Sequence, residues 1–367
     1  MGSEEVGALK LVLSGYYGFD NVGDEAILYA IIHALRKEQP DVDITVLSNQ
    51  PAKTAKTYGV NAVNRWKLQE VHEVIKKADG LISGGGSLLQ DQTSWKTIPY
   101  YLAVMGMAKA SGTPFFVYAQ GMGPVRQPQN KLMMKFVLKH ASLLAVRDQD
   151  SKNLLTKLGI KKDISIVPDP VLGIDPTGFT NLFKVKKVKK VVAVSVRDWA
   201  NSKAFMPKLA EALDRLALEN NTIVLVPMHG KHDDETSQEL RSKMKNQNFV
   251  HISPYDASIE NKMAVIRDAD LLIGMRLHAL IFAAAGSTPF IALSYDPKID
   301  AFAKLADQPV IGHVEQNDWT ADDLHRAATE QLESIKDRAA HLQATVAPHV
   351  ERANDTARQV IDYIQTH

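Results

Sequence analysis

The chain has 367 residues, too many for one ordinary hydrophobic core, so two domains are expected. With 45% hydrophobic and 23% charged residues, its composition is that of a globular protein and excludes wholesale disorder. A formal net charge of +1 argues against a protein-wide field for nucleic acid, and the absence of cysteine rules out disulfides and thiolate metal ligands. At the start, Met1-Gly2-Ser3-Glu4-Glu5 has neither the basic nor the apolar region of a signal peptide, so a cytoplasmic location is expected. Apolar strand-like runs then alternate with helix-period segments, the pattern of βαβ units and a parallel sheet. Strands are expected over residues 9–14, 43–47, 80–83, 115–119, 143–146 and 164–167, with helices over 24–37, 68–77, 98–110, 131–140 and 151–158.

Between residues 168 and 190 the pattern lapses into Pro168-Asp169-Pro170, Asp175-Pro176-Thr177-Gly178 and a lysine-rich tail. It restarts with strands over 191–196, 223–227, 249–252, 271–273 and 290–293, and residues 321–365 are helical in composition. The expected fold class is α/β, with two Rossmann-like lobes of parallel sheet and a cleft between them. The lobes are placed at residues 1–175 and 191–367, with a linker over 176–190. The longest uncharged apolar stretch, 279–295, is broken by Gly286-Ser287-Thr288-Pro289, so no membrane span is expected.

In open parallel sheets, ligands collect at strand exits and the helix N-termini that follow them. The first exit, Gly15-Tyr16-Tyr17-Gly18-Phe19-Asp20-Asn21-Val22-Gly23-Asp24, lacks the G-x-G-x-x-G spacing. Asp24 can cap the next helix, which leaves Asn21 and Asp24 as ligand candidates beside a plain turn reading. Gly84-Gly85-Gly86-Ser87-Leu88-Leu89-Gln90-Asp91 has no Gly-Lys-Ser/Thr of a P-loop, yet three successive glycines require something close to the backbone, ligand or packing. A third loop on the same side is Gln120-Gly121-Met122-Gly123-Pro124.

Arg147 and Arg197 each end a strand and would point a guanidinium at the ligand side, with pairing to the following Asp148 or Asp198 as the alternative. Asp148-Gln149-Asp150 reads as a helix cap and not as a metal motif. The sharpest signal is Asp270-Leu271-Leu272-Ile273-Gly274-Met275-Arg276-Leu277-His278, where a buried strand delivers Arg276 and His278 to a helix mouth whose dipole favours an anion. His229, His232, Asp233 and Asp234 match no metal-ligand spacing and read as exposed loop polarity, so no metal is expected. Lys184, Lys186, Lys187, Lys189 and Lys190 read as a solvated run or as a contact with an anionic membrane. On the residues alone, a glycosyltransferase, a nucleotide-sugar epimerase and a non-catalytic phosphosugar-binding protein remain open.

Taken in order, Gly18-Phe19-Asp20-Asn21-Val22-Gly23-Asp24, Gly84-Gly85-Gly86-Ser87-Leu88-Leu89-Gln90-Asp91, Gln120-Gly121-Met122-Gly123-Pro124 and Arg276-Leu277-His278 resemble the polysaccharide pyruvyltransferase family, most closely its cell-surface-anchoring type. The resemblance implies a GT-B-like fold and transfer of the pyruvyl group of phosphoenolpyruvate to a sugar as a cyclic ketal. The implied acceptor is an N-acetylmannosamine residue on a lipid-diphosphate-linked precursor of the secondary cell-wall polymer, whose pyruvylated form anchors S-layer homology domains. Such an acceptor implies a peripheral visit to the inner membrane leaflet. Phosphoenolpyruvate serves as co-substrate, and no cofactor is expected. Its two anionic groups need cationic anchors, so Arg276 and Arg147 are expected to bind phosphate and carboxylate, with His278 as acid/base. Asn21, Asp24, Gly84, Gly85, Gly86, Ser87, Gln120 and Arg197 complete the expected substrate contacts.

Overall fold

A helix placed between two strands forces a parallel crossover, and the chain repeats that unit throughout. The computed structural model describes residues 8–92 and 96–367 and divides the chain into two units, Met1–Gly173 with His349–His367, and Ile174–Pro348. The first unit runs β1 (Lys10–Ser14), α1 (Val22–Glu38), β2 (Asp43–Ser48), α2 (Pro51–Tyr58), β3 (Asn61–Asn64), α3 (Leu68–Lys76), β4 (Gly80–Gly84), α4 (Thr97–Ala110), β5 (Phe115–Gln120), α5 (Pro128–Leu138), β6 (Leu143–Val146), α6 (Gln149–Lys157) and β7 (Ser165–Ile166). Its seven-stranded sheet has the order β3-β2-β1-β4-β5-β6-β7, parallel throughout. Strand order reverses between β1 and β4, whose exit loops therefore diverge and leave a crevice at their C-terminal ends.

The second unit runs β8 (Val191–Ser195), α7 (Ser202–Leu218), β9 (Thr222–Leu225), α8 (Gly230–Lys243), β10 (Val250–Ile252), α9 (Ile259–Arg267), β11 (Leu271–Gly274), α10 (Leu277–Ala285), β12 (Phe290–Ser294), α11 (Pro297–Leu305), β13 (Val310–His313) and α12 (Ala321–Glu333). Its sheet order, β10-β9-β8-β11-β12-β13, reverses between β8 and β11. Register brings Gly274 level with Ser195 and Ala292, so the exits of β8, β11 and β12 open side by side. Apolar residues of β8, β9, β11 and β12 pack with α7 and α12 into one core, in which Trp319 is buried. Burying each such side chain contributes roughly 1.5–3 kcal/mol.

Several short elements, α11 among them, are not marked by the sequence. β3 and β13 are four-residue edge strands, too short to establish a period. In α2, Pro51 starts the helix and Gly59, in the left-handed region, ends it, but only Thr54 is buried, so no apolar stripe marks it.

Two expected boundaries also move. Residues 176–190, expected as a linker, lie against their own unit. Arg267 donates to Phe179 O at 2.9 Å and also to Pro176 O, while Thr222 Oγ1 donates to Lys186 O at 3.0 Å. Lys187 and Lys190 of the basic run face Asp270 at 2.8 and 4.0 Å, which withdraws part of its charge from any partner. The last helix, α13 (Ile335–Thr366), begins in the second unit and ends in the first, so residues 349–367 leave the lobe to which sequence assigned them. Phe116 meets Tyr363 edge-on at 5.4 Å, an apolar contact that helical composition alone does not reveal. Among the described residues, no helix is long and apolar enough to cross a membrane.

Candidate active site

In the first unit, α1 packs so closely on the exit of β4 that side chains are excluded there. A Cβ at Gly85, where φ is +61°, would lie 2.0 Å from Ile27 Cγ2, and one at Gly84 would lie 2.6 Å from Ile31 Cδ1. Packing against α1 is thus sufficient reason for these two glycines. The cap of α1 also differs from expectation. Asn21, with extended backbone, is the N-cap and accepts from Gly23 N at 3.2 Å, while Asp24 lies inside the first turn and accepts from Asn21 Nδ2. A carboxylate in that turn is favoured by the helix dipole, so Asp24 need not be the cap itself.

The exits of β4, β5 and β6 are stitched into one polar cluster. Gly121 N donates to Gly86 O at 2.8 Å, and Arg147 Nη2 donates to Ser87 Oγ at 3.2 Å. Arg147 Nη1 lies 3.5 Å from the buried carboxylate of Asp169, so the guanidinium is paired across the sheet and not with its neighbour. Asp148 instead caps α6, accepting from Ser151 N at 2.7 Å, as its sequence context indicated. Gln120, 0% exposed at the end of β5, has no hydrogen-bond partner for either amide atom among the described residues, and Ser83 Oγ shares that condition. Buried amides are costly without partners, and such groups mark places where a polar ligand or ordered water is received.

Beside this cluster stands an aromatic face that sequence reading did not single out. Arg65 is buried and donates to Gly15 O at 2.8 Å, with its guanidinium 4.4 Å from the Tyr100 ring centre and 5.1 Å from that of Trp66. Trp66 is 59% exposed, yet it is oriented by a 3.2 Å bond from Nε1 to Asn49 Oδ1. Tyr16 and Phe19 stack at 4.0 Å in the loop after β1. Arg65 and Trp66 follow β3, a four-residue strand with no fully buried position, so no local pattern marks its exit.

In the second unit, Arg276 is the N-cap residue of α10 and His278 lies in that helix's first turn. Arg276 already has a partner within the protein. Its Nε donates to Asp233 Oδ2 at 2.9 Å and its Nη2 to Asp233 Oδ1, a two-pronged pair with a carboxylate that is 0% exposed. Asp233 is correspondingly not loop polarity. It sits in the first turn of α8 and also accepts from Met228 N at 3.2 Å. Among the described residues, Arg276 Nη1 has no hydrogen-bond partner, which leaves one edge of the aimed guanidinium for a ligand.

His229, at the N-cap position of α8, joins this group. Its imidazole is held below the ordinary value near 6.5, first by burial and then by the neighbouring Arg276, with Arg197 adding a smaller effect. The β9 exit loop carrying His229 is braced by Lys262, a buried ammonium donating to Pro227 O at 2.7 Å and Pro254 O at 3.2 Å; burial brings its pKa down to about 8. Arg197, after β8, is clasped by Trp199 and Tyr295, each ring centre 4.6 Å from the guanidinium, and donates to Tyr295 OH at 2.8 Å. It does not pair with the Asp198 carboxylate. Four strand exits thus bring Arg197, His229, Arg276 and Tyr295 together at the order reversal, where an α-helix mouth also collects negative charge.

Two doubly wound parallel units with polar strand exits give the chain an α/β, GT-B-like fold. The fold is similar to that of a glycosyltransferase from Rickettsia africae ESF-5, at 16% identity and TM-score 0.65, covering 98% of each chain. It is also similar to the UDP-GlcNAc 2-epimerase of Neisseria meningitidis bound to UDP-GlcNAc, at 13% identity and TM-score 0.63 over 98% of this chain and 100% of that one. The amylovoran biosynthesis protein AmsJ of Erwinia amylovora is 21% identical over 357 residues, 79% of this chain and 84% of the relative. The sequence pattern of the polysaccharide pyruvyl transferase family matches residues 21–297, and the chain belongs to that family. It is therefore a transferase whose family moves pyruvyl groups onto polysaccharide.

Proposed function

We propose that the donor is phosphoenolpyruvate and that its phosphate is held in the second unit by Arg276, Arg197 and the N-terminal amides of α10. The observation that carries this reading is the Arg276–Asp233 pair: a buried carboxylate holds the guanidinium in place while one of its edges stays open. Protonation of the donor's methylene carbon makes C2 electrophilic, and an acceptor hydroxyl adds there. A second hydroxyl then displaces phosphate, which leaves with the C–O electron pair and closes the ketal. His278 supplies the methylene proton and is reprotonated by the second hydroxyl as phosphate departs, while His229, kept neutral by burial and by Arg276, receives the proton of the first hydroxyl.

The first unit is assigned the acceptor, an N-acetylmannosamine-bearing, lipid-diphosphate-linked saccharide of the secondary cell-wall polymer. Asn21, Asp24, Ser87 and Gln120 offer hydroxyl contacts, and Arg147 offers a cation for the ligand's charged group. Trp66 gives an oriented apolar surface for a pyranose face. Trp66→Ala is expected to raise the acceptor KM about tenfold, on the scale of one aromatic contact, with the donor KM unchanged. Steady-state kinetics varying each substrate separately measures this, and equal shifts in both constants would remove Trp66 from the acceptor site.

The test of the reaction is to incubate the protein with phosphoenolpyruvate and the lipid-linked saccharide, then to weigh the product and assay phosphate. Gain of one pyruvyl ketal with release of phosphate is the expected result. Gain of a hexose from a nucleotide sugar, or binding without phosphate release, overturns the proposal.

A further inference from the structure

The helices α4 and α5 pack together and present an apolar surface on the first unit. Leu132 is 69% and Phe136 63% exposed, with Met133 and Ala103 beside them. Between them runs an open groove of about 480 Å³, lined by Leu102, Ala103, Leu132, Met133 and Phe136. Leu132, Met133 and Phe136 follow helical spacing, so they form a stripe and not scattered exposures.

Along α4, α5 and the loops next to them in sequence, the charges have one sign. From Gln92 to Arg147 the sequence contains no Asp or Glu, against seven Lys and Arg. Lys131 and Lys135 on α5 and Lys139 just after it flank the stripe, and Lys109 lies on α4, all exposed. Among the described residues none of the four pairs with a carboxylate. Asp91, just before this segment, is occupied by Arg126 N and Gln127 N at 2.8 and 2.9 Å and by Asn130 Nδ2 at 3.0 Å. Lys139 Nζ lies 4.8 Å from the Phe136 ring centre, joining the cationic and apolar parts. At the end of α5, His140 is held below its ordinary pKa by partial burial and then by Lys109, Lys139 and Lys162, as expected in a local positive field.

We propose that this α4–α5 face docks on an anionic phospholipid bilayer, with Leu132, Met133 and Phe136 entering the acyl boundary and the lysines meeting the headgroups. Charge complementarity selects the bilayer, since an apolar stripe flanked by unpaired lysines suits an acidic interface better than the same cationic face of a second copy. The run at residues 184–190, with Lys187 and Lys190 held by Asp270, is not this surface. The inference stands on this face alone and does not depend on which group the enzyme transfers.

Flotation of the full chain with phosphatidylcholine vesicles, with and without about 30% phosphatidylglycerol, tests it at about 0.1 M salt. Binding is expected only to the anionic vesicles and is expected to be lost near 1 M salt, where charge is screened. The variants L132S/F136S and K131Q/K135Q/K139Q are each expected to bind about tenfold more weakly or less, since each removes one of the two signals. Both change exposed side chains, and unaltered circular dichroism and transfer to a water-soluble acceptor would show that fold and chemistry persist. Absence of binding to anionic vesicles overturns the proposal, as does undiminished binding of both variants or loss of binding in K184Q/K186Q/K189Q. A dimer that L132S/F136S converts to monomer with vesicle binding intact would assign the face to a second copy instead.

Discussion

Asp233→Ala is expected to destabilise the second unit by about 3–5 kcal/mol, the scale of breaking a buried ion pair from one side. The carboxylate is fully buried and satisfies two guanidinium nitrogens of Arg276 and the amide of Met228. Alanine leaves Arg276 charged, partly buried and unaimed at the mouth of α10. Asp233→Asn keeps one acceptor and the side-chain volume, so an intermediate loss is expected. The pair variant Asp233→Ala with Arg276→Met should recover part of the single loss, because removing both charges costs less than stranding one. Urea unfolding of the four proteins measures this. A loss below about 1 kcal/mol in Asp233→Ala would show that the pair does not support the site. The same variant should lose donor affinity, whereas one that kept wild-type donor KM would detach Arg276 from phosphate binding.

His278→Gln is expected to lower kcat about 100- to 10 000-fold, the range of a positioned acid or base, with little change in folding stability. His229→Gln is expected to act differently, through the pH profile. Its imidazole is depressed below about 6.5, so it is neutral at pH 7 and accepts protons there. In wild type, the acid limb of kcat/KM that comes from protonation of His229 should therefore have its midpoint below pH 6.5. The glutamine variant should be slower and lack that acid limb. The stability sign follows from the same shift. Well above 6.5 neither the folded nor the unfolded imidazole is charged; as pH falls toward and through 6.5, the unfolded chain takes up the proton first, so stability is lost on acidification. Rate profiles of both variants over that window measure the assignment, and an unchanged acid limb in His229→Gln would remove it as the proton acceptor.

The long elements of the fold were legible because their signal is local. The runs that became β1, β4, β5, β8, β11 and β12 are buried on both faces and read as continuous apolar stretches between helix-period segments, which by itself implies two parallel sheets. The edge strands β3 and β13 and the polar helix α2 have few buried residues, so their burial pattern carries little information. With β3 unread, the platform of Arg65 and Trp66 at its exit went unread as well. The glycines of the β4 exit were legible as a close approach, but whether ligand or protein comes close depends on α1, whose Ile27 and Ile31 press there.

The sequence by itself determined the class of this protein. Alternating strand and helix periods set the two parallel sheets, and Gly274 at the end of an apolar strand placed Arg276 at a helix mouth, because both consequences follow from residues within a few positions of each other. Only the tertiary structure decided how those residues are charged and held. Arg276 meets Asp233 across 43 positions, and Arg147 faces Asp169 instead of Asp148. His229 draws its low pKa from burial and from Arg276, and α5 turns Leu132 and Phe136 outward among lysines. Burial and ion pairing are set by which strand exits become neighbours in a sheet, and that order is not written in any local stretch of the chain.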